Sequence, residues 1–267
     1  MTHIDNLRIF HLNTNNRISG THVNCQMELE LPSSEEFDRA VLLSCVIPRS
    51  YYLVQAPYNT FTLRENLINT TITVAEGNYS FSSFKAYLEA LLTSSSSQGW
   101  TYTISIPNTT SQPSTGKYTF KSSSNGASFI FPTSSKLHEQ MGFDLGSTNN
   151  FIGTQLISKN VVKFTLEDTL YIHSDLVTGQ QDDVIQEIFT AGSFDFSSIK
   201  FQNYTPIEYS KVLSTSNNNS YRFTITDEDD RIINLNGLNC VYTVLIYKNN
   251  DVHNIQKDFI KYQLLKK

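Results

Sequence analysis

The residues able to do chemistry are few, and their spacing decides what each can do. A zinc hydrolase of the H-E-x-x-H type needs two histidines one helical turn apart, so that both ring nitrogens face one metal. Here His138-Glu139 is followed by Gly142 where the second histidine belongs, which leaves a solvated helix residue. The six histidines, at 3, 11, 22, 138, 173 and 253, are scattered singly, and His173 with Asp175 is the nearest approach to a ligand pair. A lone histidine in an aromatic strand is ordinarily a hydrogen-bonded structural residue. Thr115-Gly116-Lys117 lacks the upstream glycine of a phosphate-binding loop, having Ser111 in its place. No G-x-S-x-G elbow occurs, so acyl transfer has no anchor. The acidic run Asp227-Glu228-Asp229-Asp230 offers the oxygen ligands a calcium ion prefers, without the spacing of an EF-hand. An exposed hairpin turn explains the same charges. Paired carboxylates of a glycosidase follow no spacing rule, and Asp175 and Asp227 are the acids to test for that role.

The totals narrow the class further. With 17 Phe and 14 Tyr among 267 residues, the chain favours pleated, half-buried surfaces over helices. A net charge of -5 provides no footprint for a nucleic-acid backbone. Lys257, Lys261, Lys266 and Lys267 form a short basic tail that reads as solubilising. Cys25, Cys45 and Cys240 each lie in an apolar or alternating stretch with no C-x-x-C pair, so reduced core thiols are expected. No apolar run is long enough to span a bilayer, and the first residues do not resemble a secretory signal. The sequons at Asn69, Asn78, Asn108, Asn203 and Asn218 are therefore expected to stay unmodified.

Periodicity supplies the elements that would position these residues. Val23, Cys25, Met27, Leu29 and Leu31 alternate with polar neighbours up to Pro32, the pattern of a half-buried strand. Residues 39–54 are apolar on both parities, which predicts a central strand, a bend at Pro48 and a second short strand. Thr60 to Glu65 and Thr70 to Val74 complete that block. Phe81, Phe84, Leu88, Leu91 and Leu92 then fall at helical spacing behind Ser80, a good N-cap. Short strands at 100–106, 117–121 and 127–131 lead to a brief helix over 134–141, closed by Gly142. Strands are expected at 161–166, 170–174, 193–201, 207–213, 221–226, 231–235 and 238–248, while Val184 to Phe189 suits a short helix or a buried strand equally.

The predicted fold is mainly β: a jelly-roll sandwich of residues 21–65 plus 155–248, an inserted α+β subdomain over 66–150, and polar arms at 1–20 and 249–267.

Several segments, taken in order, are similar to the minor capsid or penton proteins of virophages, polinton-like viruses and related eukaryotic DNA viruses. They are Asn13 to Arg17, Leu29-Glu30-Leu31-Pro32, Phe37 to Leu43, Ile47 to Tyr52, Asn59-Thr60-Phe61 with Glu65, Glu76 to Ser80, Leu137 to Phe143, and Ile225 to Leu245. What the resemblance implies is a non-enzymatic structural protein of the virion, with no catalytic, cofactor or metal residues to transfer. It would be a vertex capsomer, assembled as a homopentamer in an icosahedral shell built on a double-jelly-roll major capsid protein, alongside other minor capsid or spike proteins. Assembly would take place in the host cytoplasm or a virus factory. Only turn and packing roles carry over, to Gly77, Asn78, Tyr79, Gly142 and Phe143. Alternative readings are a minor capsid position away from the vertex, a receptor- or glycan-binding spike-like module using Tyr, Asn and Trp100 in exposed loops, and a β-rich glycosidase.

Overall fold

The structure is a computed structural model that describes residues 3–32, 36–106, 115–166, 168–178, 183–190, 196–214 and 219–250. The chain opens with β1 (His3–Asn13), a 3-10 turn and β2 (Ser19–Gly20), followed by β3 (Asn24–Glu28) and β4 (Arg39–Pro48). An excursion carries β5 (Thr60–Glu65), β6 (Ile68–Thr73), α1 (Phe81–Ser95), β7 (Tyr102–Ser105), β8 (Thr119–Ser122), β9 (Ala127–Ile130), α2 (Leu137–Met141), β10 (Thr148–Asn150) and β11 (Gln155–Ile157). The chain returns through β12 (Thr169–Ser174), β13 (Val177–Thr178), β14 (Val184–Phe189), β15 (Ser198–Gln202), β16 (Lys211–Leu213), β17 (Ser220–Thr226) and β18 (Val241–Asn250). Two compact units result, one from residues 1–51 and 167–267, the other from 52–166.

The first unit is an antiparallel sandwich. One sheet runs β1-β18-β4-β16-β13 with β15 also on β4, and the other runs β14-β12-β17-β3-β2. From β3 to β18 the chain repeatedly crosses between the sheets, so their inner faces must be apolar together. Cys25 and Phe223 from one sheet meet Cys45 and Tyr242 from the other, with Phe223 and Tyr242 stacked at 5.5 Å. The three cysteines are free and buried, as the alternating pattern implied. Burial pushes their thiols up, Cys25 to about 11 and Cys45 and Cys240 to about 12. Thiolate is the reactive species, so these groups are inert while the core is closed. Ellman's reagent is expected to titrate none of them in the native protein and all three in guanidinium; rapid reaction of a native thiol would contradict this packing.

Three expectations change here, and one left open is decided. Residues 3–13 do not form an arm: β1 pairs with β18 along its length, from His3 opposite Asn250 to Asn13 opposite Val241. Its pattern hid because both parities carry apolar residues, Leu7 and Ile9 half-exposed but Leu12 buried, with a register shift at Asn6, whose φ is 48°. Val184 to Phe189, open between helix and strand, is a strand on β12. The strand expected over 161–166 is irregular chain, and 231–235 contributes only a bridge from Ile232 to Thr226. The expected arm beyond residue 250 lies outside the described residues.

The second unit is wider at both ends than the 66–150 insertion read from sequence. Strand alternation reveals burial but not which sheet a strand joins. β5 turns through Asn66, at φ 56°, straight into β6 and also pairs with β9, so 60–65 belongs to this unit, as does β11 through β8. The unit holds two sheets, β10-β9-β5-β6 and β11-β8-β7. Helix α1 starts where predicted, with Ser80 and Ser83 forming a reciprocal capping box, and buries Phe84, Leu88 and Leu92. Its core is aromatic: Phe129 meets Phe120 at 5.1 Å, Phe151 at 5.3 Å and Phe61 at 5.6 Å, all edge-on. Edge-to-face rings gain from the quadrupole beyond their buried area.

Candidate functional site

Catalytic or metal chemistry requires polar groups to converge in an accessible place. Among the described residues, no three His, Cys, Asp or Glu side chains gather as a metal set requires. The sequence candidates are instead each tied to local structure. His138 Nδ1 lies 3.0 Å from the carbonyl of Ser135, closing its own turn. Lys117 reaches the Lys159 carbonyl at 2.6 Å. Asp175 accepts the Arg222 N–H at 2.7 Å rather than joining His173.

Among the described residues, His173 makes an arrangement with the connectivity of a proton relay. Its Nδ1 lies 2.9 Å from the Asp183 carboxylate and its Nε2 2.9 Å from the Thr226 hydroxyl. In the neutral ring, a carboxylate at Nδ1 makes that nitrogen the donor and leaves Nε2 to accept from threonine. A nucleophile must also be reachable, and Thr226 is only 5% exposed. The trio therefore ties β12 and β17 to the chain before β14.

The acidic run resolves in the same way. Asp227, 3% exposed, accepts the N–H groups of Asp229 at 3.0 Å and Arg231 at 2.9 Å, while Asp229 pairs with Arg231 at 2.8 Å. Two of its four carboxylates are thus already committed within the turn. Asp227→Ala is expected to cost about 2 kcal/mol, because it strands two turn N–H groups. Millimolar calcium is expected to leave the melting temperature of the wild type unchanged; a rise with calcium would reinstate a cation site.

The packing residues singled out from sequence are placed as follows. Gly77 exchanges backbone hydrogen bonds with Val54, Asn78 Oδ1 accepts the Leu53 N–H at 2.8 Å, and Tyr79 donates to the Ala75 carbonyl at 2.8 Å. Gly142 is the left-handed cap of α2, and Phe143 sends its N–H to His138 and its ring against Phe120 and Phe131. Trp100, assigned to an exposed loop by the glycan-binding alternative, packs against the core of the second unit.

Sequence reasoning missed two features. One is Glu65, a fully buried carboxylate that accepts from Ser96 Oγ at 2.6 Å, Ser97 Oγ at 2.8 Å, Tyr102 Oη at 2.8 Å and the Gln98 N–H at 3.1 Å. Burial raises its pKa, and the four hydrogen bonds together more than reverse that, holding it below the ordinary glutamate value. The serine-rich loop after α1 was the available signal. The other is a groove of about 600 Å³ in the sandwich unit, between β14 and the chain from β15 to Lys211. Phe189, Tyr204 and Tyr209 on its walls are 72%, 84% and 61% exposed. Tyr171 hydrogen-bonds the Glu187 carboxylate there, and desolvation together with the neighbouring acids raises its phenol pKa. Lys200 and Lys211 line the same groove without an ion pair among the described residues. Aromatic faces, two lysines and one carboxylate thus share this groove.

No family model matches the sequence, and no curated protein matches it. Among solved structures, the chain is similar to the crystal structure of a selenomethionine-labelled mavirus penton protein, at 10% identity and a TM-score of 0.42, covering 92% of this chain and 100% of that one.

Proposed function

We propose that this chain is a structural capsid protein, that its sandwich is a jelly roll, and that it forms the pentameric vertex capsomer of an icosahedral shell. The observation that carries the reading is the antiparallel sandwich to which the chain returns after the 52–166 excursion, its strands crossing from sheet to sheet. Around that frame lie the ordered segments whose residues resemble virophage-type minor capsid proteins. No helix among the described residues is long and apolar enough to cross a membrane. The partners are further copies of the chain and a major capsid protein, and the site of action is the virion. Five copies would close a ring through head-to-tail contacts, each placing one side against the opposite side of the next. Multi-angle light scattering is expected to give five times the 30.3 kDa chain mass; a monomer persisting at high concentration would reject the vertex position.

A further inference from the structure

The groove in the sandwich unit is bordered by strand edges with unused main-chain groups. In an antiparallel ladder, bonded and non-bonded residue pairs alternate, so one known bond sets the parity of a whole strand. On β15, Arg49 donates to Ser197 and Asn203 to Leu43. With the register Ile199 opposite Ile47 and Phe201 opposite Cys45, the odd residues face β4. Ser198, Lys200 and Gln202 therefore turn their N–H and C=O groups away from it, and no strand pairs there among the described residues. On β14, the bond from Thr190 to Asp168 sets the same alternation, turning the main chain of Glu187 and Phe189 outward, but there the Glu187 carbonyl already accepts from Gln186 Nε2 at 2.7 Å, which leaves β15 as the open edge. An exposed edge of this kind is a template for another strand.

We infer that the groove is a strand-addition site: an extended acidic segment of another protein pairs with the free edge of β15 at Lys200 and Gln202 and sets alternate apolar side chains against Phe189, Tyr204 and Tyr209. Charge selects the partner. Among the described residues Lys200 and Lys211 make no ion pair, and together they outweigh the single carboxylate of the groove lining, Glu187, which accepts from the Tyr171 hydroxyl but keeps its charge. The amides that a sugar would need are largely engaged, since Asn203 accepts from Thr205 and Gln186 donates to the Glu187 carbonyl. Main-chain pairing then supplies affinity, and the alternate side chains supply selectivity. The inference stands apart from the capsid reading, because a β15 edge can bind a peptide whether or not the protein builds a shell.

The test is fluorescence anisotropy of the full chain with a fluorescein-labelled ten-residue peptide of alternating Glu and Val, against a Lys–Val peptide of the same length. Saturable binding of the Glu–Val peptide alone is expected. Gln202→Pro removes an N–H that the β4 ladder does not use, so the fold tolerates it. It should weaken binding about tenfold, the loss of one main-chain hydrogen bond. Gln202→Ala should bind like wild type. Lys200→Glu with Lys211→Glu should reverse the preference between the peptides. Circular dichroism and melting of each variant separate lost binding from lost folding; should Gln202→Pro not fold, the charge reversal alone decides. Equal binding of both peptides, no binding, or equal affinity in a folded Gln202→Pro variant would overturn the inference. So would self-association of the free chain abolished by Gln202→Pro, which would make a second copy the occupant.

Discussion

Glu65→Ala is expected to destabilise the second unit by about 4 kcal/mol, the largest single effect in the molecule, because hydrogen bonds to a buried charge are each worth more than neutral ones. Four donors converge on that carboxylate: two serine hydroxyls and a backbone N–H from the loop between α1 and β7, and the hydroxyl of Tyr102 at the start of β7. Alanine leaves the Gln98 N–H and the Tyr102 hydroxyl without an acceptor and the loop without its anchor. Trp100, the single tryptophan of the chain, donates its backbone N–H to Ser96 Oγ at 2.7 Å, so its fluorescence reports the unfolding of this loop directly. A urea titration followed at Trp100 should therefore show a much lower midpoint in the variant. A shift of less than about 1 kcal/mol would mean that the carboxylate is not the hub it is taken to be.

The same residue sets an acid dependence whose sign follows from linkage. The folded-state pKa of Glu65 is lowered, so its contribution is fully present above the unfolded-state pKa of about 4.3 and is lost as pH falls from there through the folded value. Wild type should thus lose stability on acidification more steeply than Glu65→Gln. The glutamine variant should start lower, by about 2 kcal/mol, since it keeps one acceptor oxygen but not the charge. Parallel acid profiles for the two proteins would contradict the assignment.

Gly142→Ala is expected to cost about 3 kcal/mol, the second largest effect, from a methyl group placed where two obstacles meet. The residue sits at φ 75°, where a side chain is strained, and its added Cβ would lie 2.5 Å from the Asn160 carbonyl oxygen and 2.8 Å from Ser158 Cβ. Neither neighbour yields readily. The Asn160 N–H bonds the Gly142 carbonyl, and Ser158 Oγ donates to Met141. Gly153→Ala is the matched control, at φ 62° with open space around its Cβ, and should cost about 1 kcal/mol. Equal losses in the two variants, read as thermal midpoints, would show that backbone strain alone acts at Gly142 and that the packing contact is idle.

These residues also show where sequence was informative. Gly142 was legible because a left-handed helix cap has a local signature, glycine directly after an apolar helical stripe. The α1 cap and the strands of strict alternation, such as β3 and β5, were legible for the same reason: their physics is confined to neighbours along the chain. β1 was not, because its two apolar faces erase the period of two and its partner β18 lies at the far end of the sequence. The border between the units was misplaced for a related reason. Alternation is identical whichever sheet receives β5, and only the tight turn at Asn66 commits it to β6. Glu65 and the groove belong to a third class, since each is assembled from segments tens of residues apart and exists only once the chain has folded.

A protein built into a viral shell is a component of the particle, so purified virions decide whether the proposed capsid role holds. Mass spectrometry should find peptides from both units in washed capsids, and an icosahedral reconstruction should place a two-unit subunit five times around each vertex. Particles that contain none of this chain, or that hold another protein at every vertex and minor position, would rule out the proposed capsid role.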